Sequence, residues 1–221
     1  MANPVVEHEG RVLDINIAQT KDALQSAGAR NVSERLLMVR YVFDIVEGDM
    51  SQWLRIRQES RGLTITHKQI NDDGISGTTE SGGLVSDNQA VRDAVLACGI
   101  DEAAFDRFLE QLENSINLSE LLKWLESVGF VAKSIQENYR TSYVMNVGDY
   151  EVEVEIDEWP LIPPYLEIEA PNPELVFEAA ELIGLGRDQV VATDPKSIYL
   201  QYGYDLDEIK KLEFPDGDKT S

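Results

Sequence analysis

Short runs in which apolar and polar residues alternate recur along most of this chain, and this alternation most constrains its fold. The runs WLRIR, LTITHK, EVEVEID and LEIEA each place a hydrophobic side chain at every second position. Because successive side chains of a β-strand point to opposite faces, each run predicts a strand with one apolar face and one charged face. About eight strands of this kind, with helices clustered in two places, predict an α+β fold with an antiparallel sheet.

The charged faces admit two interpretations. On periodicity alone, the favoured one is the solvated side of a half-buried sheet. Against it, charge is sorted by strand: QWLRIR presents only arginines (Arg55 and Arg57), whereas EVEVEID presents only acids (Glu153, Glu155 and Asp157). Segregated acids could hold divalent cations, and segregated arginines could bind an anion through paired hydrogen bonds. The sorting therefore predicts a closed antiparallel eight-stranded β-barrel, lined by charge and covered outside by helices.

Helical spacing of apolar residues marks the segments between the strands. It predicts helices in IAQTKDALQSAGA, NQAVRDAVLACG and ELVFEAAELIG, a further one over Phe105–Ile116, and one from Asn117 to Gly129. SIYLQYGYD fits either a strand or a short helix. We predict one domain over 1–213 with a helical insertion at about 87–117, and a flexible tail over 214–221.

Composition limits the partners. The chain has 41 acidic and 19 basic side chains and a net charge of −22, which disfavours nucleic acid and anionic membrane surfaces. Cys98 is the only cysteine, and with two histidines a Cys/His zinc site is ruled out, so any bound metal is expected to have oxygen ligands. The first ten residues contain no apolar leader segment, and no run is long enough to cross a membrane, so we expect a cytoplasmic protein.

Five segments in order carry a resemblance to a known family. They are E-x-E-x-R (Glu7, Glu9 and Arg11) followed by VLDIN, then WLRIRQE, LTITHK, RTSY followed by EVEIDEWP, and PYLEIEA. This series resembles the CYTH superfamily, which contains class IV adenylyl cyclases, thiamine triphosphatases and bacterial inorganic triphosphatases. The resemblance covers about residues 5–86 and 118–205 and implies the triphosphate tunnel fold.

The resemblance also implies site residues and a cofactor. It implies Mg²⁺ or Mn²⁺ held by six acids: Glu7, Glu9, Glu80, Asp157, Glu167 and Glu169. It implies a phosphate grip of six cations: Arg11, Arg40, Arg55, Arg57, Lys68 and Arg140. The residues expected to act directly in catalysis are Glu9, Arg11, Lys68 and Asp157.

Three departures from the family pattern bear on these assignments. Arg11 stands where the family's first motif usually ends in lysine, which keeps the charge and changes its geometry. Asn138 stands where a lysine often precedes the residue matched by Arg140, which removes one cation from the phosphate grip. The segment between Val85 and Leu118 is longer than the family's usual connection and could cover one mouth of the tunnel or pack against a partner.

The expected function is metal-dependent hydrolysis of tripolyphosphate or a small organic triphosphate. A class IV adenylyl cyclase that makes cyclic AMP and pyrophosphate is the first alternative, ranked lower because we find no residues dedicated to adenine. A noncatalytic triphosphate sensor is the second, motivated by Asn138 and the inserted helices. The apolar stripe on those helices is also compatible with a homodimer.

Overall fold

The computed structural model describes residues 5–49, 51–59, 61–70 and 78–215, without the side chains of residues 5–7 and 78. The strands in these ranges are β1 (Val5–Val12), β2 (Arg30–Asp44), β3 (Gln52–Glu59), β4 (Gly62–Ile70), β5 (Thr78–Leu84), β6 (Ser134–Val147), β7 (Tyr150–Glu158), β8 (Tyr165–Ala170) and β9 (Lys211–Leu212). The helices are α1 (Ile17–Ser26), α2 (Asn88–Ala97), α3 (Glu102–Gln111), α4 (Leu118–Ser127), α5 (Pro173–Leu182) and α6 (Pro195–Gln201), with a single 3-10 turn at Arg187–Gln189.

All six of these helices begin after an Asn or Asp whose side-chain oxygen accepts a backbone N–H of the first turn. The same capping signal explains why SIYLQYGYD, which fitted either a strand or a short helix, begins as a helix. Asp194 accepts the N–H groups of Lys196 and Ser197, and Pro195 occupies the first helical position, so the segment folds as α6. The predicted Phe105–Ile116 helix is shorter than expected, because the backbone is already extended at Leu112.

The strands form one sheet in the order β2-β3-β4-β5-β1-β8-β7-β6-β9, with a further pairing of β2 with β6. The α+β class and the antiparallel sheet are therefore confirmed. The closed eight-stranded barrel is corrected. A ninth strand, β9, lies beside β6 at the end of the order, and the sheet is open rather than closed. With only two residues, β9 offers no alternation from which it could have been predicted.

The described chain contains two compact units. Unit 1 comprises 39–70 and 79–136, and unit 2 comprises 6–38 and 137–215. The single domain over 1–213 stays a prediction. Residues 71–77 and residues 216–221 of the predicted tail lie outside the described residues.

Unit 1 packs its three helices α2, α3 and α4 on the apolar face of β3 and β4. Leu54, Ile56 and Ile65 are fully buried in this core. The apolar stripe of α3 belongs to the same core, where Phe108 stacks on Trp124 with ring centroids 4.8 Å apart. The stripe is therefore covered within its own chain, and the homodimer stays a prediction without this support.

Unit 2 packs α1 and α5 on the apolar face of β1, β8, β7 and β6. The core contains Leu24 from α1, Val176 from α5, and alternate residues of the strands such as Val154 and Ile168, all fully buried. Since these positions alternate with the charged ones, burial of one face fixes the charged residues on the other. In this way the hydrophobic pattern determines which charged side chains share the face of the candidate site.

Gly10 on β1 packs closely against side chains of the unit 2 core. A Cβ at this position would lie 2.6 Å from Cγ1 of Val176 and 2.6 Å from Cγ1 of Val190. We expect Gly10→Ala to lower the free energy of unfolding by about 1–3 kcal/mol, because the packed core must shift to admit one methyl group. Urea unfolding checks this. The loss should be smaller when Gly10→Ala is added to Val190→Ala, and equal losses in both backgrounds would contradict the steric explanation.

Within the described ranges, the model contains no helix with both the length and the apolar character needed to cross a lipid bilayer.

Candidate functional site

Three of the six predicted metal ligands come together in unit 2. Glu9 on β1 is directly opposite Glu169 on β8, and Glu167 lies two residues before Glu169 on the same face. Carboxylate oxygens of these three residues, hereafter the acid trio, all lie within 4.8 Å of one another. Glu7 is on β1 as predicted, but its side chain lies outside the described residues.

The donor chemistry of the acid trio fits a hard divalent cation. Mg²⁺ and Mn²⁺ prefer oxygen ligands, and the trio offers carboxylate oxygens from two adjacent strands. Glu167 is 5% exposed, so its charge is poorly screened by water and is costly to leave without a cation. Carboxylates gathered in this way attract a cation, whether a metal ion or a basic side chain.

Arg11 supplies such a basic side chain in the structure. Its Nη2 donates to Oε2 of Glu9 at 2.6 Å and also forms an ion pair with Glu167, while Nη1 donates to the carbonyl of Thr193 at 2.5 Å. Burial disfavours the charged guanidinium, but Glu167 and Glu9 outweigh this and hold the pKa of Arg11 well above its ordinary value. The side chain is therefore a permanent cation beside the acid trio.

Arg140 on β6 is the centre of a second buried network. Its Nε and Nη2 donate to the two carboxylate oxygens of Asp157 at 2.7 and 2.6 Å, and Nη2 also donates to Glu167 Oε1 at 2.8 Å. An ion pair links the same guanidinium to Glu155. The Nδ2 group of Asn138 donates to Asp157 Oδ1 at 3.0 Å. Glu167 thus bridges Arg11 and Arg140.

This network brings together two residues that were predicted for different roles. Arg140 was predicted to bind phosphate, and here its donors are directed at carboxylates. Asp157 was predicted as a metal ligand or catalytic residue, and here it is fully buried and lies outside the acid trio. Glu155, which shares the acidic face of its strand but is not among the six predicted ligands, is 7% exposed and contacts Arg140. Its place in the alternating EVEVEID run was the available signal. The catalytic and binding roles stay predictions.

The other predicted cations lie in unit 1 on the face of β2, β3 and β4 opposite the helices. Arg40 is directly opposite Arg57 in the β2–β3 pairing. Arg55 is opposite Thr66 in the β3–β4 pairing, and Lys68 is opposite Trp53. Like charges directly opposite each other repel, and Arg40 and Lys68 are only 7% and 8% exposed. These four cations, hereafter the basic row, therefore attract anionic groups.

Two acids of unit 1 pair with cations of this basic row. Glu80, predicted as a metal ligand, forms an ion pair with Lys68. Glu59, which sequence reasoning missed, accepts Nε of Arg57 at 2.7 Å and the hydroxyl of Thr64 at 3.0 Å. Its position two residues after Arg57 puts it on the same strand face, a signal present in the sequence.

Glu59 gives a pH-dependent prediction. Burial raises the pKa of this carboxyl, but the charge and hydrogen bond of Arg57 outweigh burial and lower it. A depressed folded pKa contributes stability above the unfolded value of about 4.3, and that stability is lost as pH falls through the folded value. We expect Glu59→Gln to lower the unfolding free energy by about 1–2 kcal/mol at pH 7.

The difference between Glu59→Gln and the parent chain should shrink as pH falls below the unfolded value of about 4.3 and through the lower folded pKa, because the parent carboxyl then becomes protonated in both states. Urea unfolding at pH 7 and at acid pH measures it. Glu34→Gln, an exposed glutamate on β2, is the matched control and should show little change at either pH. A loss that is constant with pH would contradict the ion-pair explanation.

No family model and no curated protein matches the chain, but solved structures share its fold. A conserved hypothetical protein from Pyrococcus furiosus is 16% identical, with 87% of this chain and 99% of that chain covered and a TM-score of 0.59. A candidate adenylate cyclase from Vibrio parahaemolyticus is 11% identical, with 89% and 98% covered and a TM-score of 0.60.

A third solved structure connects the fold to a described activity. It is a candidate adenylyl cyclase from Hippeastrum, described as having a dominant triphosphatase activity, which is 14% identical with 92% and 99% covered and a TM-score of 0.50. Identities this low establish the shared fold alone. The chain therefore shares its fold with these solved structures, two of which are candidate adenylate cyclases, the class of enzyme that the sequence resemblance named.

Proposed function

We propose that this chain is a metal-dependent phosphohydrolase that acts on tripolyphosphate or a small organic triphosphate. The observation that carries the proposal is the acid trio, three carboxylates whose oxygens lie within 4.8 Å of one another on adjacent strands. The fold shared with a protein described as having triphosphatase activity supports it.

The acid trio would hold Mg²⁺ or Mn²⁺. When bound, such an ion supplies charge neutralisation and polarises a phosphoryl oxygen. Arg11 lies directly beside these carboxylates and carries the hydrogen-bond donors that a phosphate oxygen accepts. Phosphoryl transfer requires mainly positioning and charge stabilisation, so residues of this kind suffice for the reaction.

Arg140 and Asp157 would act as positioning residues. Arg140 holds Glu167 through its Nη2, and Asp157 fixes the guanidinium through two hydrogen bonds. This buried arrangement restricts the rotamer of Glu167 and therefore the place of its oxygens in the acid trio.

The basic row of unit 1 would bind phosphate oxygens. Arg40 is opposite Arg57, and Arg55 and Lys68 lie on the same face, so this face gathers four cations that attract an anionic ligand. Because Arg presents paired donors, these side chains suit the oxygens of a polyphosphate better than a single point charge would.

A class IV type adenylyl cyclase is the second candidate, and Trp53 is the observation that favours it. Trp53 lies on the charged face of β3, opposite Lys68, and is partly exposed. An indole at this position could stack on a nucleobase whose phosphates bind the neighbouring cations. A cyclase would direct the 3′-hydroxyl of ATP, instead of water, at the α-phosphate, with pyrophosphate as the leaving group.

Turnover with product identification tests the proposal. The purified protein is incubated with Mg²⁺ or Mn²⁺ and, separately, tripolyphosphate, ATP and thiamine triphosphate, while phosphate, pyrophosphate and cyclic AMP are followed together. We expect phosphate release that is lost in Glu9→Gln and kept in Glu153→Gln, because Glu153 faces Glu169 on β7 and is outside the acid trio.

Two other outcomes would replace the proposal. Cyclic AMP formed with equal pyrophosphate would identify a cyclase. If no substrate is turned over while tripolyphosphate raises the melting temperature, the protein binds without reacting, as a sensor would.

A further inference from the structure

Arg11 occupies the carboxylates that the proposed function assigns to a metal ion. Its guanidinium contacts both Glu9 and Glu167, two members of the acid trio, and is 7% exposed. A divalent cation that binds these oxygens must therefore take the place of an internal cation. The protein carries a built-in competitor for its own metal site.

One donor of this guanidinium is unsatisfied. The Nε of Arg11 is buried and has no hydrogen-bond partner among the described residues. A buried donor without an acceptor costs free energy, so the position favours a ligand oxygen that could accept it.

The geometry of the guanidinium shows which ligand would fit. Nε and Nη2 form one edge with two parallel donors, the edge that Arg140 directs at the two oxygens of Asp157 at 2.7 and 2.6 Å. In Arg11 the Nη2 of that edge is engaged by Glu9 and Glu167, and the Nε is not satisfied. Releasing the two acids would leave a complete edge for a tetrahedral oxoanion.

We propose that Arg11 exchanges partners, pairing with the acid trio when no metal ion is bound and with a phosphate oxygen when a metal ion takes those acids. The exchange rests on the proposed function, and it adds a way in which metal binding and phosphate binding at that site depend on each other. The backbone of Arg11 is fixed by hydrogen bonds in both directions with Val191, so the exchange requires rotation of the side chain and release of the Thr193 carbonyl by Nη1, without a backbone shift. Metal ion and oxoanion then bind cooperatively, each removing a competitor of the other.

Mn²⁺ binding tests the exchange without an activity assay. Free Mn²⁺ is measured by electron paramagnetic resonance in chloride and in sulfate at equal ionic strength, with sulfate as a weakly chelating oxoanion. In the parent protein we expect sulfate to tighten Mn²⁺ binding about fivefold or more. Arg11→Met should tighten Mn²⁺ binding in chloride by a similar factor and abolish the effect of sulfate.

Two further variants control for charge and folding. Arg35→Met removes a cation of unit 2 that pairs with Glu158, outside the acid trio, and should leave Mn²⁺ affinity unchanged. Arg11→Lys keeps the charge without the two-donor edge, and it should lose the effect of sulfate even if Arg11→Met fails to fold.

The outcomes separate the inference from the proposed function. If Mn²⁺ binds and sulfate still tightens its binding in Arg11→Lys, or if Arg11→Met weakens it, the exchange is wrong while the metal site stands. If Mn²⁺ binds to neither the parent nor Arg11→Met, both the exchange and the proposed metal-dependent function fail.

Discussion

Glu169→Gln is expected to lower metal-dependent triphosphate hydrolysis by about 100-fold or more, because a bound ion that stabilises charge by several kcal/mol is lost with its ligand. The substitution replaces one carboxylate oxygen of the acid trio with an amide and keeps the size of the side chain. Glu169 is also the more informative position, since Glu9 and Glu167 pair with Arg11 and their loss would release that arginine as well. Initial rates over a range of Mg²⁺ and Mn²⁺ concentrations measure the effect.

Glu153→Gln is the matched control for this prediction. Glu153 is directly opposite Glu169 on β7, is exposed, and is outside the acid trio. Glu153→Gln removes the same charge from the same face of the sheet, so an effect that arises only from the change in net charge would appear in both variants. Activity retained within about threefold in Glu169→Gln would exclude the acid trio as the metal site.

The alternation of the sequence was sufficient to predict which residues share a strand face. Glu167 and Glu169 lie on the same side of β8 because Leu166 and Ile168 are buried on the other, fully covered by α5 and its neighbours. Period-two alternation with one buried face specifies orientation strongly, so the α+β class and the two kinds of charged face could be predicted.

Alternation could not reveal which charges pair, because pairing depends on the register between strands. Arg140 and Arg55 look equivalent in sequence, each at an inward position of a predicted strand. In the structure Arg140 is opposite Asp157, whereas Arg55 is opposite Thr66. The first arginine is therefore held by acids of its own unit and the second belongs to a basic row. The strand β9 could not be predicted either, because two residues carry no usable period.

The register also explains how one chain can keep so many buried charges. Arg11 and Arg140 of unit 2 each pair with several carboxylates, and Glu167 pairs with both of them. Buried ions are tolerated only when they are paired and hydrogen-bonded, so this network is a condition of folding as well as of any chemistry. Its most buried acid is therefore a test of what the network contributes.

Asp157→Asn is expected to lower the free energy of unfolding by about 3–5 kcal/mol, the usual cost of breaking a buried ion pair. Asp157 is fully buried and accepts two hydrogen bonds from Arg140 and one from Asn138. The amide keeps the shape of the side chain, but it removes the charge and turns one acceptor into a donor that faces the guanidinium. Urea unfolding at pH 7 gives the change.

The variant Glu158→Gln, at the next residue, separates the effect of burial on stability from the effect of losing an ion pair alone. Glu158 pairs with Arg35 at 2.8 Å, but both side chains are partly exposed, so its loss should cost only about 0–1 kcal/mol. The two variants remove the same charge from adjacent residues of β7 and differ in solvent access. If Asp157→Asn is as stable as Glu158→Gln but inactive towards triphosphates, Asp157 acts in catalysis as the sequence predicted. If it unfolds easily and its loss of activity follows its loss of folded protein, Asp157 is the anchor of Arg140, and its role in the reaction is to hold Glu167 in place through that arginine.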